Sequence, residues 1–374
     1  MIRALISIVV YLLIGFCLIY RVKTANGFVL FLKGNKDNNF KLVLYFWPIV
    51  IAFLYGLYNK YVIGIQPVIS GDRLNYLQDF NGRLTGFVIF DTYLRIVRSL
   101  TNDFSVLLAL TTFLCCWLIF IALKKSVYKC VDAAIFIVLS YFIFTTLTAL
   151  KQAPVSALAA IMIVVLIEKP CLKSDILSIF IIFLSCGLHI TGYVLIPVFI
   201  LLRIKSIEKH RTIIILVLSI IVYVFFQQIL MLFGQIVNPY FPNISRKIIS
   251  YVAEDTIHAS DGGSLLLAAF KGFPYYALSI IGLVDRKKHS KEQSYDKYLV
   301  LSILGALSSL LTLFSYWYSR ISVLFIFPMA ILYGMIMKKR FGKDKIIVCI
   351  VVIGSLAFFT IRSVFLNYIN YGGY

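Results

Sequence analysis

The chain is poor in acid, in histidine and in cysteine pairs. Its 374 residues carry 16 Asp and Glu against 36 Lys and Arg, with four histidines. No Asp-x-Asp occurs, and no Cys-x-x-Cys or His pair accompanies the seven cysteines at 17, 115, 116, 130, 171, 186 and 349. These cysteines fall inside apolar runs or at basic loop ends, so neither a disulfide framework nor a zinc site is expected. No metal and no cofactor is called for. The first apolar run, Ala4 to Tyr20, lacks a polar region with an Ala-x-Ala-like cleavage site and is followed by Arg21 and Lys23. It reads as an uncleaved first span, not a signal peptide. The net charge of +20 would suit nucleic acid, but the basic residues sit in short loops between apolar runs, and no basic domain stands apart from them. Nucleic acid is therefore excluded as a partner. The two halves show no internal repeat, which removes support for an inverted-repeat transporter.

What is abundant is apolar sequence. Hydrophobic residues make up 61% of the chain and mean hydropathy is +0.94, well above the roughly 45–50% of a soluble domain. This predicts an all-α, polytopic integral membrane protein. Spans of about the required 20 residues are expected near 2–20, 40–59, 104–123, 131–149, 153–168, 175–188, 190–203, 212–233, 264–284, 298–316, 321–337 and 346–366. Twelve is the best count. It drops to ten or eleven if the sixth and seventh, which share the hinge Gly187 to Gly192, form one long broken helix and not a bent hairpin. Most basic residues fall on alternate loops, which places those loops inside and both termini outside. The expected location is the inner (plasma) membrane, with membrane lipid around a single domain, 1–374. Two long loops then face outward, 60–103 and 234–263. In the first, Phe87 to Leu100 has a helical pattern, with Asp91, Arg95 and Arg98 on one face. It reads as an amphipathic helix on the membrane surface, with a short reentrant piece as the alternative. The second loop is turn-rich and aromatic, suited to capping a site or to connecting two spans.

Four polar clusters break the apolar pattern. Ser70-Gly71-Asp72-Arg73-Leu74-Asn75-Tyr76 sets a carboxylate, a guanidinium, an amide and a phenol within five residues. It is either an exposed ion pair or a base beside a phosphate-binding cation, with Asn75 and Tyr76 adding hydrogen bonds to a glycan. Lys151-Gln152 interrupts two spans on the side where basic residues are disfavoured; it is either a snorkelling lysine or a cation facing the bundle. His189 lies between two apolar runs without a metal partner, as a structural group, a proton acceptor or a phosphate contact. Arg320 follows Tyr316-Trp317-Tyr318-Ser319 and is costly near hydrocarbon unless paired. The span assignment sets all four clusters at the outer level. One carboxylate with three positive or titratable groups suits a ligand bearing two phosphates and a reacting hydroxyl.

In order and spacing these clusters resemble the EpsG family of exopolysaccharide and O-antigen polymerases, Wzy-like proteins. The family's Gly-x-Asp-Tyr-x-x-Tyr-like segment appears as Gly71-Asp72-Arg73-Leu74-Asn75-Tyr76, with Arg73 in place of the first tyrosine and no arginine just upstream. Its Arg-Gln pair opening an Ala-rich span appears as Lys151-Gln152-Ala153-Pro154, where lysine keeps the charge and loses the fork. Its histidine motif is His189-Ile190-Thr191-Gly192, and its late arginine is Arg320. The resemblance implies a membrane glycosyltransferase, with a GT-C-like bundle compatible, that joins undecaprenyl-diphosphate-linked oligosaccharide repeat units at the periplasmic or outer face. It implies a chain-length regulator and a flippase of the same pathway as partners. Asp72, His189 and Arg320 would be catalytic, and Arg73, Tyr76, Lys151 and Gln152 would bind substrate. Asp72 is the first choice of base and His189 the second, while Arg320 and Lys151, with Arg73 as a third, would neutralise the leaving diphosphate. Direct displacement would invert the anomeric centre. The competing readings are a flippase for lipid-linked oligosaccharide, a membrane O-acyltransferase built on His189, and a structural role in an envelope complex.

Overall fold

The computed structural model describes residues 71–126, 131–140, 150–203, 226–240, 272–289, 292–312 and 316–359, with the isolated positions 242, 245, 246 and 249. The spans expected at 2–20 and 40–59, both termini and the Asp261-Gly-Gly end of the second loop lie outside these residues. Among the described residues all regular structure is helical. In chain order the helices are α1 (Gly71–Phe80), α2 (Val88–Leu100), α3 (Phe104–Lys125), α4 (Val131–Leu139), α5 (Gln152–Glu168), α6 (Leu172–Leu188), α7 (Leu195–Arg203), α8 (Phe226–Val237), α9 (Phe273–Asp285), α10 (Gln293–Leu311), α11 (Tyr316–Ser322), α12 (Ile326–Lys338) and α13 (Gly342–Cys349). A 3-10 turn, Ile190–Val194, leads into α7, and another, Val323–Phe325, joins α11 to α12.

Among the described residues two helical runs are long and apolar enough to cross a membrane, Phe104–Lys125 and Arg320–Lys338, and two shorter apolar ones are Gln152–Glu168 and Ile190–Arg203. A count of twelve therefore stands as an expectation. Ile190–Val194 tightens the helix beside His189, and Val323–Phe325 does so within the run Arg320–Lys338.

At the centre stand α5 and α12. Every residue from Ile326 to Met337 is buried, as is nearly all of α5. A helix apolar on all sides has no solvent face to offer and belongs inside a bundle. α3 packs along α5, where Ala153, Ala157 and Ala160 are fully buried and allow close approach. α6 reverses the pattern of a soluble helix. Its outward stripe is Leu172, Ile176, Ile179, Phe180 and Phe183, all exposed, while Ser174, Ser178 and Ser185 face inward. Ser178 Oγ donates to the Ser174 carbonyl at 2.6 Å, so the inward hydroxyl is satisfied within its own helix. Small polar groups inside and large apolar groups outside suit a lipid surround.

At the hinge the chain turns back. Arg203, at the end of α7, pairs with Asp175 and reaches the Cys171 carbonyl at the start of α6. The sixth and seventh expected spans are thus a bent hairpin. Gly192 permits the reversal: a Cβ there would lie 2.3 Å from the Ser185 carbonyl carbon.

The two ends of the bundle differ. At one, Tyr298 donates to Glu168 at 2.9 Å, and Arg340 grips buried Asp285 through Nε at 2.9 Å and Nη2 at 2.7 Å. Lys288 adds a 3.1 Å ion pair to the same carboxylate. Glu292 receives Lys339 at 2.6 Å and faces His289 Nδ1 at 3.4 Å, while the His289 ring stacks on Tyr295, centroids 4.1 Å apart. Lys124 and Lys125, in the last turn of α3, complement that helix's dipole at this same end. At the opposite end sit α1 and α2, which cap the bundle through Phe80, Phe90, Leu94 and Val97 against Leu107, Leu108 and Leu150. The stretch expected as a polar loop around Asp72 to Tyr76 is the start of helix α1. Within it, Tyr76 packs against the cluster formed by α1, α2 and α3.

Two predictions follow from this packing. Gly192→Ala should cost about 1–3 kcal/mol, seen as a lowered melting temperature of the detergent-purified protein; an unchanged melt would contradict the hairpin geometry. Burial holds the His289 pKa below the ordinary histidine value, with Glu292 opposing this and Lys339 reinforcing it. The unfolded chain then binds that proton more readily. Stability should be flat at neutral pH and fall as pH drops below about 6.5. His289→Phe, which keeps the ring stack, should flatten that fall in melts recorded from pH 7.5 to 5; an unaltered slope would remove His289 as its source.

Candidate functional site

The last turn of α1 carries Asp79, whose residue exposure is only 3%. A carboxylate so buried must be paired. Arg83 Nε donates to its Oδ1 at 2.7 Å, and Lys151 Nζ lies 2.9 Å from Oδ2. Arg83 wraps back over the helix end, donating to the Gln78 side chain at 2.8 Å and to the Asn75 carbonyl at 3.0 Å. Gly82, at φ 119°, makes the turn that allows this. Lys151 Nζ also sits over two rings, 5.5 Å from the Tyr76 centroid and 5.3 Å from that of Phe90. The lysine that opens α5 is therefore held by a carboxylate and two aromatic faces, one from α1 and one from α2.

Next in sequence, buried Gln152 donates its side-chain amide to the backbone carbonyl of Arg320. This joins the start of α5 to α11 and fixes where Arg320 enters the site. Arg320 itself is half-buried. His189 caps the C-terminus of α6 and is buried. Its Nδ1 accepts the Thr191 backbone N–H at 3.3 Å and meets Thr191 Oγ1 at 2.9 Å. An Nδ1 that accepts an N–H puts the proton of the neutral ring on Nε2. The ring of Phe87, just before α2, lies 5.8 Å from the imidazole. The turn Ile190–Val194 packs against both α5 and α11. One end of the bundle thus gathers the elements bearing Tyr76, Lys151, Gln152, His189 and Arg320.

A family model for the EpsG family matches residues 61–372. The chain belongs to the EpsG family. Searches of curated proteins and of solved structures returned no match. Membership, with the apolar helices above, makes this EpsG-family chain a membrane protein and associates it with polysaccharide biosynthesis.

The residues singled out from the sequence fall as follows in this EpsG-family fold. Tyr76 and Lys151 are in direct contact, Gln152 and Arg320 are hydrogen-bonded, and His189 stands on the turn between them. Asp72 and Arg73 occupy the first turn of α1, about two turns before Asp79; their side chains lie outside the described ones. Sequence reasoning missed Asp79 and Arg83. The signal was a second Asp seven residues after Asp72, in a polar stretch where no periodicity set it apart. It also left Asp91 as one member of a charged face. That carboxylate is in fact buried and committed, accepting the Thr85 N–H at 3.0 Å, the Thr85 hydroxyl at 2.7 Å and the Gly86 N–H at 3.2 Å. It pins the loop that leads into α2. Among the described residues no group of three His, Cys, Asp or Glu is placed to hold a metal ion.

Removing one partner of a buried ion pair strands the other. Asp79→Asn should cost about 3 kcal/mol or more in the thermal melt of the purified protein, and adding Lys151→Met should recover a substantial part. Strictly additive losses would show that the two side chains do not act as a pair.

Proposed function

We propose that this EpsG-family protein is a polysaccharide polymerase, a glycosyltransferase that joins undecaprenyl-diphosphate-linked oligosaccharide repeat units at the outer face of the plasma membrane. The observation that carries the reading is the Gln152–Arg320 link beside the His189 turn, because it draws three polar groups from distant spans to one end of an apolar bundle. The opposite end carries Lys288, Lys339 and Arg340, and the positive-inside rule makes an end rich in such residues the cytoplasmic one. Lys151, Arg320 and the arginines of α2 on the other side run against that rule, and a phosphate-bearing substrate accounts for them.

In the reaction a hydroxyl oxygen of the acceptor sugar forms a bond to the donor's anomeric carbon. The bond from that carbon to the lipid diphosphate breaks, and the hydroxyl proton passes to a base. Negative charge grows on the departing diphosphate, so fixed cations in a low-dielectric site lower the barrier. Arg320 takes this role, with its position set by Gln152. Lys151 is shared with Asp79 and orders α1 and α2 around the site, so its charge acts on the ligand from a fixed place. His189, with Nδ1 engaged by Thr191, presents Nε2–H and serves as a donor to a substrate oxygen. That leaves Asp72 as the base, with Tyr76 and Arg73 beside it on the same helix. The products leave toward a chain-length regulator, and a flippase supplies the lipid-linked units.

Arg320→Ala in the producing strain should abolish the long-chain polysaccharide ladder while the protein still inserts at wild-type level. Single-repeat glycan should remain at the surface, because supply by the flippase is intact. A normal ladder in that variant would contradict the assignment, and loss of even single-repeat glycan in a deletion strain would replace it with a flippase.

A further inference from the structure

Beside the Asp79–Lys151 pair, α1 and α2 enclose a shallow recess. It is lined by Asp79, Phe80, Gly82, Arg83, Leu84, Asp91, Leu94, Arg95 and Arg98. Three guanidinium groups face this space together with two carboxylates, and both carboxylates are already committed. Asp79 is held by Arg83 and Lys151, and Asp91 by the Thr85 and Gly86 backbone and the Thr85 hydroxyl. Arg95 and Arg98 have no ion-pair partner among the described residues. The Arg98 guanidinium is set close against the turn: a Cβ on Gly82 would come within 2.8 Å of its Nη1. Both arginines are exposed and one turn apart, and the three arginines with Lys151 outnumber Asp79 and Asp91 by two charges. Leu84, which lines the recess, and Val88, on the face of α2 that carries Arg95, are each well over half exposed. A basic recess edged by apolar side chains is the surface that a phosphate headgroup with an attached lipid chain would match.

We propose that Arg95 and Arg98 form a diphosphate subsite for a polyprenyl-linked substrate, separate from the one at Arg320. The inference rests on the polymerase reading, in which two lipid diphosphates must be held at once, one on the donor and one on the acceptor. Arg320 serves the bond that breaks; the recess holds the second headgroup, while the apolar edge meets its isoprenoid chain. Arg83 stays on Asp79 and shapes the wall.

The test uses the full chain in nanodiscs of neutral lipid, with farnesyl diphosphate as the lipid-borne probe and inorganic diphosphate and phosphatidylglycerol as comparison ligands. Binding is read by calorimetry on wild type and on the Arg95→Gln/Arg98→Gln double variant. Because both side chains are exposed, the ligand-free melt of the variant should match wild type. Farnesyl diphosphate should bind the wild type with two sites and the variant with one, the lost site weakened at least tenfold. Inorganic diphosphate should show the same loss at lower affinity. Arg95→Lys/Arg98→Lys should retain part of the binding, since charge persists without the fork. Unchanged farnesyl diphosphate binding in the glutamine variant would overturn the proposal. So would phosphatidylglycerol binding the recess as tightly as farnesyl diphosphate, which would make it a site for bulk membrane lipid. The polymerase reading fails separately, through a normal polysaccharide ladder in Arg320→Ala, and the binding result does not depend on that ladder.

Discussion

A single buried carboxylate holds together the end of this protein that α1 and α2 cap. Asp79 accepts Arg83 from its own turn and Lys151 from the start of the central helix α5. Without both cations a charge so enclosed would destabilise the fold by several kcal/mol. With them it locks α1 and α2 onto the bundle, where Phe80, Phe90 and Leu94 can bury against α3. The rest of that end follows from the clasp. Lys151 cannot move without Asp79, Gln152 is the next residue, and Gln152 fixes the Arg320 backbone.

The same economy operates at the other end, with a different purpose. There Asp285, Arg340, Glu292 and Lys339 tie the α9–α10 connection to the end of α12. These ions are spent entirely on each other and on the helix ends. At the end capped by α1 and α2 the balance is uneven, because Arg83, Arg95, Arg98 and Lys151 meet only Asp79 and Asp91. A charge network that closes on itself stabilises; one left open toward the surface is suited to an anionic ligand.

Much of this was legible in the sequence, for identifiable reasons. Helices in an apolar run must satisfy their own backbone, so long hydrophobic stretches announced α3, α5 and α12 with boundaries within a few residues. Lys151, His189 and Arg320 stood out because each sits against apolar sequence, where a polar group is expensive and needs a reason. The family followed from those outliers. Asp79 was not legible, since it lies in a polar stretch where one more acid attracts no notice; only the packing of α1 beside residue 151 reveals its partner. The commitment of Asp91 was hidden for a similar reason: its partners are backbone N–H groups, which sequence does not display. The reversal at His189 also needed coordinates, because a break in hydropathy marks a hinge without giving its angle. The Arg203–Asp175 pair supplied that answer.

The central claim is that separate spans build one ligand-binding end. Photo-crosslinking with a diazirine-bearing polyprenyl diphosphate, followed by peptide mapping of the membrane-embedded protein, tests it most directly. The account predicts labels clustered in α1 and α2, residues 150–152, residues 189–192 and α11, all competed by inorganic diphosphate. Labels confined to the opposite end, around Asp285 and Arg340, or spread evenly along the spans, would contradict it.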